Sequence, residues 1–235
     1  MKEIVKCLLL ISVMLSSCSF ESEGVFTDDT TEECLLYDYY IDEYGNEGIV
    51  AYSFSGKTTE RKYAIVVSAD EALLPWGPMG EAIYKSDTIT SRGLRSSSFS
   101  IGMHQIMKSL GIDKFPAQAW CDAKNQDEDY PRAGSWHLPS YYEYQLIFGT
   151  KGRNVTSLNS AFTSIGGTPF SDGMYWTCVE DFDNYITITD NESDYDKANR
   201  AVITSPYNVT HGYKDRWLKK NNYYVRAIKY VYYKY

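Results

Sequence analysis

The order of strand-like and helix-like segments is the feature that most restricts the fold of this 235-residue chain. Residues 48–54 and 62–68 are rich in β-branched and aromatic residues, which favour strands. The turn region 55–57 between them contains Gly56, so we predict a β-hairpin. Strand-like segments return in the last third of the chain, at 174–179, 185–189, 200–204 and 223–233.

Helical signals occupy the middle of the chain. Apolar residues recur at helical spacing in 103–110, and Pro116 suits the first turn of a second helix. Ser140 and Glu143 form a capping-box pattern that predicts a third helix, reaching about residue 148. Segments 70–83 and 86–100 are expected to be irregular. Strands, then helices, then strands predict an α+β domain over residues 35–235.

The N-terminal segment has the composition of a targeting sequence. Lys2 and Lys6 precede an apolar run, 7–15, that is about half of the ~20 residues needed to cross a bilayer. We interpret 1–17 as a signal peptide, the alternatives being a short membrane anchor or a buried helix. Leu15 to Cys18 resembles the lipobox of bacterial lipoproteins, which implies a lipid on Cys18 and an outer-membrane location. The polar, acidic residues 18–34 are expected to form a tether.

The charge of the chain restricts its partners. The formal net charge is −8, and residues 1–17 contribute +1 to it through Lys2, Glu3 and Lys6, so residues 18–235 sum to −9. An acidic chain without a basic run argues against nucleic acid and against anionic lipid as partners. Neutral or basic partners are expected instead: glycans, other proteins or cations.

A sequence motif around the third helix resembles a known signature. The residues are Trp136, Leu138, Pro139, Ser140 and Glu143, in the pattern W-x-L-P-[ST]-x-x-E. This pattern is similar to one shared by the C-terminal domain of Legionella collagen-like adhesins and by the sulfatase-modifying, formylglycine-generating family. Segments 173–180, with Trp176, and 224–228 resemble later strands of these proteins in the same order, and the similarity covers about 48–233.

The resemblance implies a C-type-lectin-like fold, with twisted antiparallel sheets, two or three helices and long loops. In such a fold the first and last strands pair, which would place the C-terminal strand beside the N-terminal hairpin. Cys121 and Cys178 would then meet across the core, and we expect a disulfide between them, with buried thiols as the alternative. Cys34 would remain free.

An enzymatic role is not expected. The formylglycine-generating activity requires a reactive cysteine pair in the C-terminal part of the chain, and no cysteine follows Cys178. His104, His137 and His211 are scattered and belong to no hydrolase or metal-binding motif. The sequence therefore predicts a protein that is not an enzyme, with an oxidase of this family as a remote alternative.

A calcium site is the best metal candidate in the sequence, with no other cofactor expected. Its ligands would be alternating oxygen donors in one acidic stretch: Asp190, Glu192, Asp194 and Asp196. The central glycine and the distal glutamate of an EF-hand are missing, and a solvated charged loop explains the same residues.

An aromatic platform beside polar groups is the best candidate for ligand binding. The residues are Tyr213, Arg216, Trp217 and Asn221, although tyrosine is also common as a half-buried strand residue. The predicted function is a non-enzymatic, lipid-anchored surface module that binds glycan or protein through loops in 150–175 and 190–222. The alternative is an accessory or tip subunit of a surface fimbria or of a glycan-uptake complex.

Overall fold

A computed structural model describes residues 35–54, 62–83, 97–126, 131, 134–149, 152, 154–180, 198–207 and 216–233. The described residues form a mixed α+β structure with nine strands in two sheets and four α-helices, which confirms the predicted class. The strands are β1 (Tyr39–Ile41), β2 (Glu47–Phe54), β3 (Lys62–Ser68), β4 (Ala72–Leu74), β5 (Tyr175–Glu180), β6 (Arg200–Thr204), β7 (Arg216–Leu218), β8 (Tyr223–Val225) and β9 (Ile228–Tyr233). The helices are α1 (Ser97–Gly111), α2 (Pro116–Asp122), α3 (Tyr141–Phe148) and α4 (Val155–Ser164).

The first sheet contains the predicted hairpin. Its strand order is β1-β2-β3-β9, and all of its neighbours are antiparallel. β9 pairs with β3 along six residue pairs, from Lys62 opposite Tyr233 to Val67 opposite Ile228. The C-terminal part of the chain therefore does pair with the N-terminal hairpin, but through Ile228–Tyr233 and not through 224–228, the segment that the resemblance implied as the closing strand.

The second sheet has the order β4-β8-β5-β6-β7. The segment 223–233, predicted as one strand, is two strands that belong to different sheets, so that prediction is corrected. The chain leaves β8 at Arg226, whose side chain is fully buried, and Ala227 O accepts a hydrogen bond from Ser68 N at 2.9 Å. This break lets one apolar stretch of sequence contribute to both sheets.

The three predicted helices are confirmed, although α1 begins at Ser97, so the expectation that 86–100 is irregular is wrong for its last four residues. The helix α3 has both bonds of the predicted capping box. Ser140 Oγ accepts from Glu143 N, and Glu143 Oε2 accepts from Ser140 N at 2.6 Å. α3 ends at Gly149, whose φ of 67° lies in the left-handed region that glycine adopts easily. Cys178 N donates to Pro139 O at 2.7 Å, which fixes the start of α3 against β5.

Four elements were not predicted: β1, β4, β7 and α4. The helix α4 lies within 150–175, which the sequence analysis assigned to a recognition loop, so that assignment is corrected. It buries Val155, Leu158 and Phe162 against the first sheet, whereas the residues between them are mostly Ser, Thr and Asn. Only three large apolar residues mark its buried face, which is why the periodicity is weak.

Two apolar clusters form the core. The first lies between the two sheets and α1–α2, and it contains the motif residues Trp136, Leu138 and Trp176. The second lies between the first sheet and α3–α4, and it contains Tyr144, Phe148 and Phe162. Both tryptophans are essentially unexposed, so these two large aromatic side chains contribute to the core.

The predicted disulfide between Cys121 and Cys178 is not formed. Both side chains are free thiols and fully buried in the first cluster, on α2 and β5 respectively. Burial raises the pKa of both thiols well above the usual value, because the apolar surroundings disfavour the thiolate. They therefore pack as small apolar side chains, the alternative that the sequence left open.

Candidate functional site

A row of three aromatic rings crosses one end of the first sheet. Phe54 on β2 lies opposite Tyr63 on β3, and Tyr63 lies opposite Tyr232 on β9. The ring centroids are 5.3 Å apart for Phe54 and Tyr63 and 6.4 Å apart for Tyr63 and Tyr232. Because directly opposed side chains on a sheet project to the same face, the three rings form one continuous surface.

Two further tyrosines extend this surface. Tyr52 lies 6.2 Å from Tyr63, centroid to centroid. Tyr142 lies in the first turn of α3, and partial burial, followed by the neighbouring Tyr142 hydroxyl, raises the pKa of Tyr52. We call the five residues Tyr52, Phe54, Tyr63, Tyr142 and Tyr232 the tyrosine face. Phe54 is 37 % exposed, and the four tyrosines are partly exposed. A contiguous, partly exposed aromatic surface is a common property of binding sites.

A β-bulge places Tyr52 and Phe54 on this face. The register of β2 with β3 shifts between Val50 and Tyr52, so that Val50 pairs with Val66 but Tyr52 pairs with Ile65. Without the extra residue, strict alternation would turn Tyr52 and Phe54 toward the opposite side of the sheet. The tyrosine face therefore depends on one inserted residue in β2.

A buried carboxylate lies beneath the tyrosine face. Glu143 Oε1 accepts hydrogen bonds from Tyr230 Oη at 2.6 Å and from Ser100 Oγ at 2.8 Å. The Tyr230 ring in turn contacts Tyr63 (5.6 Å between centroids) and stacks on the imidazole of His137 (6.1 Å, 9° between planes). Glu143 thus fixes the position of the Tyr230 ring, which packs against Tyr63.

This cluster is enclosed within the fold. The side chains of His137 and Glu143 are both fully buried, and His137 Nδ1 donates to Ser135 O at 2.7 Å. Burial opposes ionisation of Glu143, but the nearby His137, the Tyr230 hydroxyl and the Ser140 N–H outweigh it and keep its pKa below the usual 4.5. The Glu143 carboxylate accepts hydrogen bonds from Tyr230, Ser100 and Ser140, so it stabilises the packing of α3 against neighbouring segments.

A second buried histidine has a carboxylate partner. His104 Nε2 lies 2.7 Å from Asp122 Oδ1, while His104 Nδ1 has no partner among the described residues. Burial lowers the pKa of His104, because removal from water disfavours the charged imidazolium by more than the neighbouring Asp122 carboxylate favours it. Burial opposes ionisation of Asp122, but the His104 hydrogen bond and the charge of Lys108 outweigh it and lower its pKa.

These shifts predict that the protein loses stability in acid. The folded-state pKa of His104 lies below 6.5, so the unfolded chain takes up this proton first and the free energy of unfolding falls as the pH drops below about 6.5. The pKa values of Asp122 and Glu143 are also lowered by folding, so a further loss follows as the pH drops below about 4.5. Urea unfolding at a series of pH values measures this dependence.

The variant His104→Gln separates the two pH windows. It keeps an N–H donor for Asp122 but does not titrate, so we expect it to remove the dependence that begins below about pH 6.5 and to leave the loss that begins below about pH 4.5. A wild-type stability that is constant from pH 7 to pH 5 would contradict the assignment to His104.

Trp217 and Arg216, two residues of the predicted ligand-binding platform, lie on opposite faces of the second sheet. Trp217 is 46 % exposed on β7, an edge strand, and contacts Tyr223 edge-to-face at 5.9 Å. Arg216 precedes it on the same strand, so the two side chains project to opposite faces, and Asn221 lies in the turn that follows. The structure therefore does not bring Trp217 and Arg216 together on one surface, and Tyr213 lies outside the described residues.

The remaining predicted sites lie outside the described residues. These are the lipidation site Cys18 and the calcium ligands Asp190, Glu192, Asp194 and Asp196. Within the described ranges, no group of three or more His, Cys, Asp or Glu residues is placed to hold a metal ion. No helix in those ranges is long and apolar enough to span a membrane.

The sequence contains a signal for the tyrosine face that was not among the predicted sites. Aromatic residues alternate with other residues near the ends of three segments predicted to be strands: Tyr52 and Phe54, Tyr63, and Tyr230 and Tyr232. This period of two predicts one aromatic face for each strand. Combining the three faces requires the strand order and the bulge, neither of which the pattern contains.

Comparison with known proteins adds no identification. No family model, curated protein or solved structure matches this chain.

Proposed function

We propose that this protein is a non-enzymatic ligand-binding or adhesion module that binds its ligand through the tyrosine face. The observation that carries the proposal is the row of partly exposed rings of Phe54, Tyr63 and Tyr232, which three adjacent strands hold in register. Aromatic side chains supply large contact areas at a low cost in conformational entropy, and they are enriched at binding sites.

The support beneath the rings favours binding over an incidental surface cluster. The hydroxyl of Tyr230 is fixed by Glu143, and its ring lies 5.6 Å from that of Tyr63, so the face rests on a rigid base. A surface held in one arrangement before binding loses less entropy when the ligand is bound. Trp217 is a weaker candidate because it is one exposed ring without Arg216 beside it.

The non-enzymatic part of the proposal rests on the sequence, and the burial of the two described histidines is in keeping with it. The imidazoles of His104 and His137 have no exposed surface, and each is packed beside a carboxylate that folding stabilises in its charged form. A general acid or base must reach its substrate, and these described groups do not reach the surface.

The fold and location in this proposal are those implied by the sequence resemblance: a C-type-lectin-like domain on the outer membrane, attached by lipid at Cys18. Features in keeping with such a domain are the pairing of β9 with the hairpin, the capped helix after Trp136 and the burial of Trp176. The tyrosine face lies on the sheet that joins the two ends of this domain.

A glycan-array screen of the purified protein, with calcium and again with a chelator, tests the proposal, with a protein and peptide array run in parallel. We expect a reproducible ligand whose binding survives chelation, because the tyrosine face contains no metal ligand set. Binding that is lost on chelation would transfer the site to the acidic stretch at Asp190–Asp196. Blank arrays with a protein shown to be folded by circular dichroism would contradict the proposal and favour an assembly role.

A further inference from the structure

We infer that the ligand of the tyrosine face is an uncharged glycan segment, held by ring stacking and by the phenol hydroxyls. The inference rests on the proposed function and narrows it to one class of ligand. An apolar peptide and a charged polymer are the two alternatives that the geometry disfavours.

The hydroxyl groups distinguish a glycan from an apolar partner. The ring centroids of Tyr52 and Tyr232 lie 6.2 and 6.4 Å from that of Tyr63, and all three side chains are partly exposed, so three phenols lie side by side on this surface. Each hydroxyl is both a donor and an acceptor. An apolar partner that covered Tyr52 and Tyr63 would offer their hydroxyls no hydrogen bonds, whereas a polyhydroxylated partner offers both donors and acceptors.

The charge of the face distinguishes an uncharged ligand from a charged one. All five members are uncharged side chains, in a chain of net charge −8. Partial burial, followed by repulsion from the neighbouring phenols, raises the pKa of Tyr63 to about 12 and also raises that of Tyr52. The hydroxyls of Tyr63 and Tyr52 therefore stay neutral at physiological pH, and the Glu143 carboxylate beneath them is buried and bonded to internal donors, so the five side chains offer an ionic ligand no charge of their own.

The ring arrangement suits a flat, repeating ligand. Phe54 and Tyr63 are nearly parallel, with 22° between their planes, and Tyr232 continues the row at 51° to Tyr63. The apolar C–H faces of sugar rings pack against such a row, while their hydroxyl edges meet the phenols. Phe54, which lacks a hydroxyl, forms the apolar end of the row.

Comparison of Tyr63→Phe with Tyr63→Ala tests the inference directly. The first variant keeps the ring and removes the hydroxyl, and the second removes both. The probes are neutral glucan, mannan and xylan oligosaccharides, an oligogalacturonate as the charged analogue and an oligoproline peptide as the uncharged analogue that is not a glycan. Titration calorimetry with the purified protein measures the affinities, with Tyr44→Phe in the β1–β2 turn as the matched control.

We expect a neutral oligosaccharide to bind with an affinity that changes little between about 0.05 and 0.5 M salt. Tyr63→Phe is expected to weaken this binding about fivefold, the value of one hydrogen bond, and Tyr63→Ala to weaken it further. Tyr44→Phe should bind like the wild type.

Three results would overturn the inference. Binding that Tyr63→Phe retains but Tyr63→Ala loses would indicate an apolar ligand and leave the proposed function intact. Preference for the oligogalacturonate would indicate a charged ligand, and preference for the oligoproline would indicate a peptide ligand. Either preference would leave the proposed function intact. Oligosaccharide binding that neither Tyr63 variant changes would also overturn the proposed function, because the ligand would then lie elsewhere; Phe54→Ala, at the exposed end of the row, repeats this test with little risk to folding.

Discussion

Replacing Arg226 by methionine is expected to lower the free energy of unfolding by about 3–5 kcal/mol, the loss typical of breaking a buried ion pair. The side chain of Arg226 has no exposed surface, and its Nη2 donates to Glu71 Oε2 at 2.7 Å and to Thr168 O at 2.8 Å. Its guanidinium also lies 4.4 Å from the ring centre of Phe170 and 4.7 Å from that of Phe162. The substitution leaves the Glu71 carboxylate buried with only neutral donors.

The double variant Arg226→Met, Glu71→Gln is the control for this prediction. It removes both charges, so we expect it to recover part of the stability that the single variant loses. Tyr175 and Ser171 also donate to Glu71, so the recovery should be incomplete. Guanidinium unfolding followed by tryptophan fluorescence measures both changes, and a loss below about 1 kcal/mol in Arg226→Met would contradict the account.

Replacing Lys219 by methionine is expected to cost a similar amount, about 3–5 kcal/mol. Lys219 Nζ bonds Glu180 Oε1 and donates to Glu81 O at 2.9 Å, and it lies 4.9 Å from the ring centre of Trp76. Glu180 Oε2 also accepts from Ile83 N at 3.0 Å. The pair therefore attaches the segment before residue 84 to the end of β5.

Lys220 provides the matched control for this second pair. It is the next residue along the chain, it carries the same charge and it is exposed. Lys220→Met should change the free energy of unfolding by no more than about 0.5 kcal/mol, the value typical of surface substitutions. Equal effects at 219 and 220 would show that the loss comes from net charge rather than from the buried pair with Glu180.

The buried ion pair of Arg226 and Glu71 explains why part of the fold was not predicted from the sequence. A charged residue within an apolar segment normally indicates an exposed strand face, yet Arg226 lies at a fully buried break between β8 and β9. Its partner Glu71 is 155 residues away in sequence, so no local pattern identifies the pair. The segment 223–233 therefore looked like one strand.

The elements that were predicted well are those set by local physics. The bounds of β3 follow from the run of β-branched residues within it, and α3 begins at Ser140 because Ser140 and Glu143 cap it reciprocally. In contrast, α4 depends on Val155, Leu158 and Phe162 meeting the first sheet, a tertiary contact that outweighs the weak helical preference of its polar residues.

The sequence predicted that the candidate site is aromatic, but it did not predict where in the fold the site lies. The sequence indicated an aromatic binding surface and assigned it to the region of Trp217. The larger aromatic surface lies on the first sheet, because the bulge after Val50 turns Tyr52 and Phe54 toward Tyr63. A bulge is a single inserted residue, and nothing in the composition of β2 indicates it. The tyrosine face could therefore be recognised only in the three-dimensional structure.

The measurement that tests the central claim most directly is the dissociation constant of wild type, Tyr63→Ala and Trp217→Ala for the strongest array ligand. Circular dichroism and unfolding curves serve to confirm that each variant is folded. If the tyrosine face is the binding site, Tyr63→Ala weakens binding at least about tenfold, equivalent to about 1.4 kcal/mol, and Trp217→Ala binds like the wild type. A folded Tyr63→Ala protein with unchanged affinity, together with loss of binding in Trp217→Ala, would contradict the account and move the site to the edge strand β7.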